Sequence, residues 1–171
     1  MDSENIAMAL GFLVLKAARA APQGASLEEC QEIVKTDIPK AGACLLPESL
    51  DFLYRSGRIN QVSHLLGSLL KITPIIELYK EVRVARRVRT AIQAVDALLE
   101  TVENRIAGCW PVRIAFLHIG AQSKLEELKQ IAIKRWGVSS FVEIITGEAS
   151  PTLACHIGPG AIGIAYLAEG K

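Results

Sequence analysis

Three short stretches carry groups that could hold an anion. "CHIGPG", residues 155–160, sets His156 before a turn built on Gly158 and Gly160. "SGRINQ" carries Arg58 between a helix stop and the next helix. "RRVRTA" carries Arg89 near a helix start. Arginine offers a planar fork that matches a carboxylate or a phosphate. A histidine beside free turn amides can grip the same oxyanion. Taken together, these residues suggest an anion head-group site beside an apolar interior. Taken alone, His156 reads equally well as a satisfied side chain at a strand end.

Other candidates carry less. His118 ends the apolar stretch "VRIAFLHIG" and His64 lies on an apolar-striped helix, and both read as structural. "RVARRVR" holds Arg83, Arg86, Arg87 and Arg89. Placed at a helix start, these cations oppose the helix dipole. The cluster makes sense there if an anion or acidic partner visits. Cys30, Cys44, Cys109 and Cys155 are widely spaced with no CxxC pair, which argues against zinc. They read as reduced, mostly buried thiols of a cytoplasmic protein. No Walker loop, GxGxxG or nucleophile elbow occurs. The expectation is a non-enzyme without metal or cofactor.

These groups must be positioned by a globular fold. The chain has 171 residues, half of them hydrophobic, which suits one domain with a sizeable core. A net charge of +1 and 5% aromatic residues disfavour nucleic acid and acidic membranes as partners. The apolar N-terminal run "IAMALGFLVL" is too short to span a bilayer and follows acidic residues, the wrong sign for a signal peptide. Residues 5–21 predict a helix apolar nearly all round, ended by Pro22 and Gly24. Ser26 and Glu29 form a capping box for a second helix to about residue 36. "ACLLPESL" predicts a strand running into a helix that stops at Gly57, and "QVSHLLGSLLK" another helix. "ITPIIEL", "YKEVRV", "VRIAFLHIG", "SSFVEIIT", "PTLACHI" and "AIGIAYLA" read as strands, the last two hinged on the Gly-Pro-Gly turn. Helices are expected at 86–105 and 123–135. The fold class is α/β, with a mixed sheet flanked by helices.

The chain resembles the DegV family of fatty-acid-binding proteins almost end to end. "ESLDFLYRSGRINQVSHLLGSLLKITPIIEL" is similar to the family's helix, Gly-Gly-Arg-Ile type turn, small-residue helix and Ile-Lys-Pro-Ile-like strand. "RRVRTAIQAVDAL" resembles its Lys-x-Arg helix start, and "IAFLHIG" its strand ending in His. "HIGPGAIGIAYL" resembles its closing His-x-Gly-Pro-Gly motif. The resemblance implies the EDD fold of two α/β lobes, with a long-chain fatty acid between them as ligand and no cofactor. The acyl chain would lie in an apolar tunnel, lined partly by "HLLGSLL" with Ser68, and the carboxylate near His156. Ligand contacts are thus implied for His156, Gly158, Gly160, Arg58 and Ser68. Arg58 and Arg89 would face a fatty acid kinase, which makes acyl-phosphate for phospholipid synthesis. Residues 1–38 correspond to a helical remnant of the first lobe, and 39–171 to the C-terminal lobe. The Ser- and Thr-bearing loops of the first lobe have no counterpart here, Ser56 replaces the turn's first Gly, and Ala7 and Ala9 replace small Ser and Gly positions. The expectation is a lipid-binding carrier. The alternative is a truncated paralogue acting as an oligomerising interaction protein, with helix 5–21 folded back on the lobe or pairing in a homodimer.

Overall fold

A computed structural model describes residues 1–58, 72–79 and 81–170. Ser68 and His64, and the helix expected around them, lie outside the described residues. The elements are α1 (Ala7–Ala20), α2 (Leu27–Asp37), β1 (Ala41–Leu46), α3 (Asp51–Arg55), β2 (Thr73–Tyr79) and β3 (Glu81–Val88). They continue with α4 (Ala91–Ile106), β4 (Val112–His118), α5 (Gln122–Trp136), β5 (Phe141–Glu148), α6 (Pro151–Ile157) and β6 (Ile162–Ala168).

One six-stranded sheet runs in the order β3-β2-β1-β6-β4-β5. β4 and β5 are parallel, and every other pair is antiparallel. The sheet is therefore mixed and flanked by helices, as expected. Alternation along each strand sorts side chains onto two faces. Ala43, Leu45, Ile76, Leu78, Ala115, Ala165 and Leu167 face a core shared with α1, α3 and α6. Cys44, Ile75, Ile114, Phe116, Ile164 and Tyr166 face the core under α4 and α5.

The capping box of α2 forms as read: Glu29 N donates to Ser26 Oγ and Ser26 N to the Glu29 carboxylate. α1 seats Ala9, Phe12 and Leu13 against β1 and β6, so it does fold back on the sheet. Its opposite face is bare: Ile6, Leu10 and Val14, four residues apart, are exposed.

Two stretches adopt another structure than expected. Residues 83–88 belong to β3, and α4 begins only at Ala91, with Thr90 as its cap accepting from Gln93 N. The basic cluster thus sits on an edge strand, and the argument from the helix dipole does not apply to it. "PTLACHI" is the helix α6, not a strand. Ser150 accepts from Leu153 N and Pro151 occupies the first helical position, a start signal that outweighs the short apolar run.

Candidate functional site

The strand registers bring the candidate residues to one end of the sheet. Leu46 of β1 pairs Ile162 at the start of β6, and His118 at the end of β4 pairs the same residue. Thr73 at the start of β2 pairs Val88 at the end of β3. The Gly-Pro-Gly turn, α3 with Arg58 after it, and Arg89 after β3 therefore share this end. β3 is three strands from β6, about 14 Å across the sheet. Arg89 belongs to the rim of this end and not to its centre.

His156 lies on the last turn of α6, half-buried. Its Nδ1 is buried and has no hydrogen-bond partner among the described residues. A buried polar atom left unpaired costs free energy, and such a group in a native fold asks for a missing partner.

The turn after it is shaped by close packing. Gly158 has φ +85°, and a Cβ there would lie 2.3 Å from the ring of Phe52. Gly160 has φ +84°, and a Cβ would meet Glu48 Cβ at 3.0 Å. Only glycine allows both the conformation and the contact with the segment leading into α3. The amides of this turn are not free, contrary to expectation. Gly158 N donates to Ala154 O at 2.9 Å, closing α6, and Gly160 N donates to Ile119 O at 2.8 Å. The glycines form the floor of the site and offer a ligand no backbone donor from these two N–H groups.

Arg58 is exposed, and its Nη1 makes a 3.5 Å contact to Ser56 O. Arg89 is exposed and its backbone N donates to Gln93 Oε1 at 3.3 Å. No ion pair holds either guanidinium among the described residues. The rest of the basic cluster is partly neutralised. Arg83 Nε lies 2.6 Å from the buried Glu77 carboxylate, which Arg105 of α4 also holds, and Arg86 pairs with Glu100.

An apolar cleft open to solvent, with a cavity volume of only about 30 Å³, lies beside α6, on the face shared with α1. Ala43 and Leu45 of β1, Leu117 of β4, Leu153 and Ile157 of α6, and Gly163 and Ala165 of β6 line it. His118 borders it, but its parity is that of Ile114 and Phe116, and its Nδ1 accepts from Ala121 N at 3.2 Å at the start of α5. The structural reading of His118 holds at that nitrogen. The cavity wall is therefore aliphatic, and small residues on β1 and β6 leave its space. His156 itself is not part of this wall; it is one residue from Ile157 and three from Leu153, which are. The wall residues were not singled out from the sequence. The signal available was the recurrence of Ala and Gly at alternate positions of "AGACLL" and "AIGIAYLA".

Elsewhere, burial pushes the Cys44 thiol up to about 12, with Glu77 adding to it, so this cysteine is inert. All four cysteines are free thiols. No helix among the described residues is long and apolar enough to cross a membrane.

Comparison with known proteins agrees with this fold. A family model described as "Uncharacterised protein, DegV family" matches residues 1–169. A DegV domain-containing protein of Clostridium acetobutylicum is 32% identical over 170 residues, which are 99% of this chain and 58% of that protein. The crystal structure of the DegV family protein Cg2579 of Corynebacterium glutamicum superposes with a TM-score of 0.87 at 28% identity, covering 99% of this chain and 64% of that one. A DegV family protein of Thermus thermophilus, described by its fatty acid binding, superposes with a TM-score of 0.88 at 25% identity, covering 98% of this chain and 60% of that one. This chain thus spans about three fifths of the length of the relatives it matches. The family model and these relatives together establish that the chain belongs to the DegV family.

Proposed function

We propose that this chain binds a long-chain fatty acid as a non-catalytic carrier, with the acyl chain against the aliphatic wall of the cleft beside α6 and the carboxylate at His156. The observation that carries the reading is the aliphatic cleft beside α6, adjoining a buried imidazole nitrogen with no partner among the described residues. Ligand pockets join an apolar lining to a few polar groups that fix orientation. The relative from Thermus thermophilus, described by its fatty acid binding, supports the choice of ligand.

Arg58, just after α3, is the cation proposed to approach the carboxylate. Gly158 and Gly160 let Phe52 and Glu48 close over the turn. Arg58 and Arg89, exposed at one end of the sheet, suit docking to an acidic face of a fatty acid kinase. Because the chain spans only three fifths of its relatives' length, the hydroxyl-bearing loops of a first lobe are proposed to complete the carboxylate site. The free thiols fit a cytoplasmic protein.

The test is organic extraction of the purified chain followed by mass spectrometry, with titration of a long-chain fatty acid. A co-purified or taken-up fatty acid is expected. His156→Ala should weaken binding about tenfold or more, the loss of a hydrogen bond to a charged group. No fatty acid in the extract and no uptake on addition would overturn binding by this chain alone.

A further inference from the structure

The sheet ends in two edge strands, β3 and β5, and they are built differently. β3 carries Arg83, Arg86 and Arg87. Both edges meet their neighbours through a register shift, β3 at Ile75/Ile76 of β2 and β5 at Val142 opposite Val112/Arg113 of β4, so the basic side chains are what set them apart. Basic side chains blunt an edge against pairing. β5 reads "FVEIITGE", with no lysine, arginine or proline. Val142 is 47% exposed and Ile144 36%, and Val138 just before the strand is 72% exposed. Alternation places Val142, Ile144 and Thr146 on one face. The strand's own charges are already engaged. Glu143 is held by Arg19 and Arg113, and Glu148 accepts from Gly120 N. From Glu143 to Glu148 this edge keeps unbroken register with β4, and an edge with exposed β-branched residues and no lysine or arginine of its own is an association site.

We propose that two copies of this chain pair through β5, antiparallel about a two-fold axis at Ile144, to form one continuous sheet. In an antiparallel pair, opposed residues share a face, so the allowed registers are few. Centred on Ile144, the pairing sets Ile144 against its own copy, Val142 against Thr146 of the second copy, and Glu143 against Ile145 of the second copy. The exposed face then carries only β-branched cross-strand pairs, which favour pairing. No like charges oppose one another. Centring on Glu143 would oppose two carboxylates and is disfavoured for that reason. The same operation on β3 would crowd two sets of arginines at one seam. Charge therefore selects β5 as the edge that accepts a second copy.

Analytical ultracentrifugation of the 171-residue chain over about a hundredfold range of concentration reads the association directly. A concentration-dependent dimer is expected. Ile144→Lys and Val142→Lys, both at exposed positions, should shift it to monomer while far-UV circular dichroism stays unchanged. Leu10→Lys, on the bare stripe of α1, should leave the dimer intact. Ile144→Cys in a Cys155→Ser background should cross-link to itself under mild oxidant, since opposed Cα atoms lie about 4.5–5.5 Å apart, within disulfide reach. The Cys155→Ser parent should not. A monomer at every concentration overturns the proposal. So does a dimer that survives both lysine variants, or one that Leu10→Lys dissolves instead.

Discussion

Gly158 shows how one residue without a side chain can hold two elements together. Its φ of +85° ends α6, and the ring of Phe52 occupies the place where a Cβ would stand. Gly158→Ala therefore meets both backbone strain and overpacking, and should cost about 2–4 kcal/mol. A urea titration measures this. Shrinking the obstacle with Phe52→Ala should recover part of the loss, because residues in contact are not additive. Full additivity of the two variants would mean that the ring does not press on the turn. His156 was legible as a candidate from its neighbours in sequence, because histidine before a glycine turn is a local pattern. The state of its ring nitrogen was not, since that depends on what packs around α6.

Among the elements, α1 carries the clearest test of how the molecule is assembled. Phe12 is fully buried, and with Ala9 and Leu13 it fills the space over β1 and β6. Phe12→Ala should cost about 3–5 kcal/mol, read as a drop in the thermal midpoint. A loss under about 1 kcal/mol would show instead that α1 is an appendage. The helix was legible from its apolar residues, but its bare side was not. Ile6, Leu10 and Val14 are as hydrophobic as Phe12 and Leu13, and only the position of the sheet decides which side is covered. α6 was misread for a related reason. Seven residues are too few to show a helical period, so its Ser-Pro start was the only local clue. The strand at "YKEVRV" was found, but its continuation to Val88 was read as helix because "RVARRVR" fits either element by composition, and only pairing with β2 settles it.

For the whole molecule, an ion-pair network ties the helical segment to the sheet. Lys16 of α1 bridges Asp37 of α2 and Glu169, and Arg113 of β4 bridges Glu169 and Glu143, which Arg19 of α1 also holds. Hydrogen bonds from Arg19, then from Arg113, outweigh the partial burial of Glu143 and hold its carboxyl at about 2, against an ordinary 4.5. A carboxyl depressed in the folded state adds stability that is complete above about 4.5 and is lost as pH falls towards 2. Urea midpoints measured between about pH 6 and pH 3 should therefore fall less steeply in Glu143→Gln than in the natural sequence. Equal slopes would remove Glu143 from the acid response. By itself, the sequence determined the α/β class, the capping box of α2, most strand positions and the family, because these rest on local periodicity and on motifs read in order. Only the tertiary structure decided that the amides of Gly158 and Gly160 are already spent, that Arg83 and Arg86 are neutralised by Glu77 and Glu100, and that small residues on two strands open an aliphatic cavity beside α6. Periodicity tells which way a side chain points from its own element. It does not tell what stands opposite, and that partner decides whether a donor is free, a charge is paired or a space is filled.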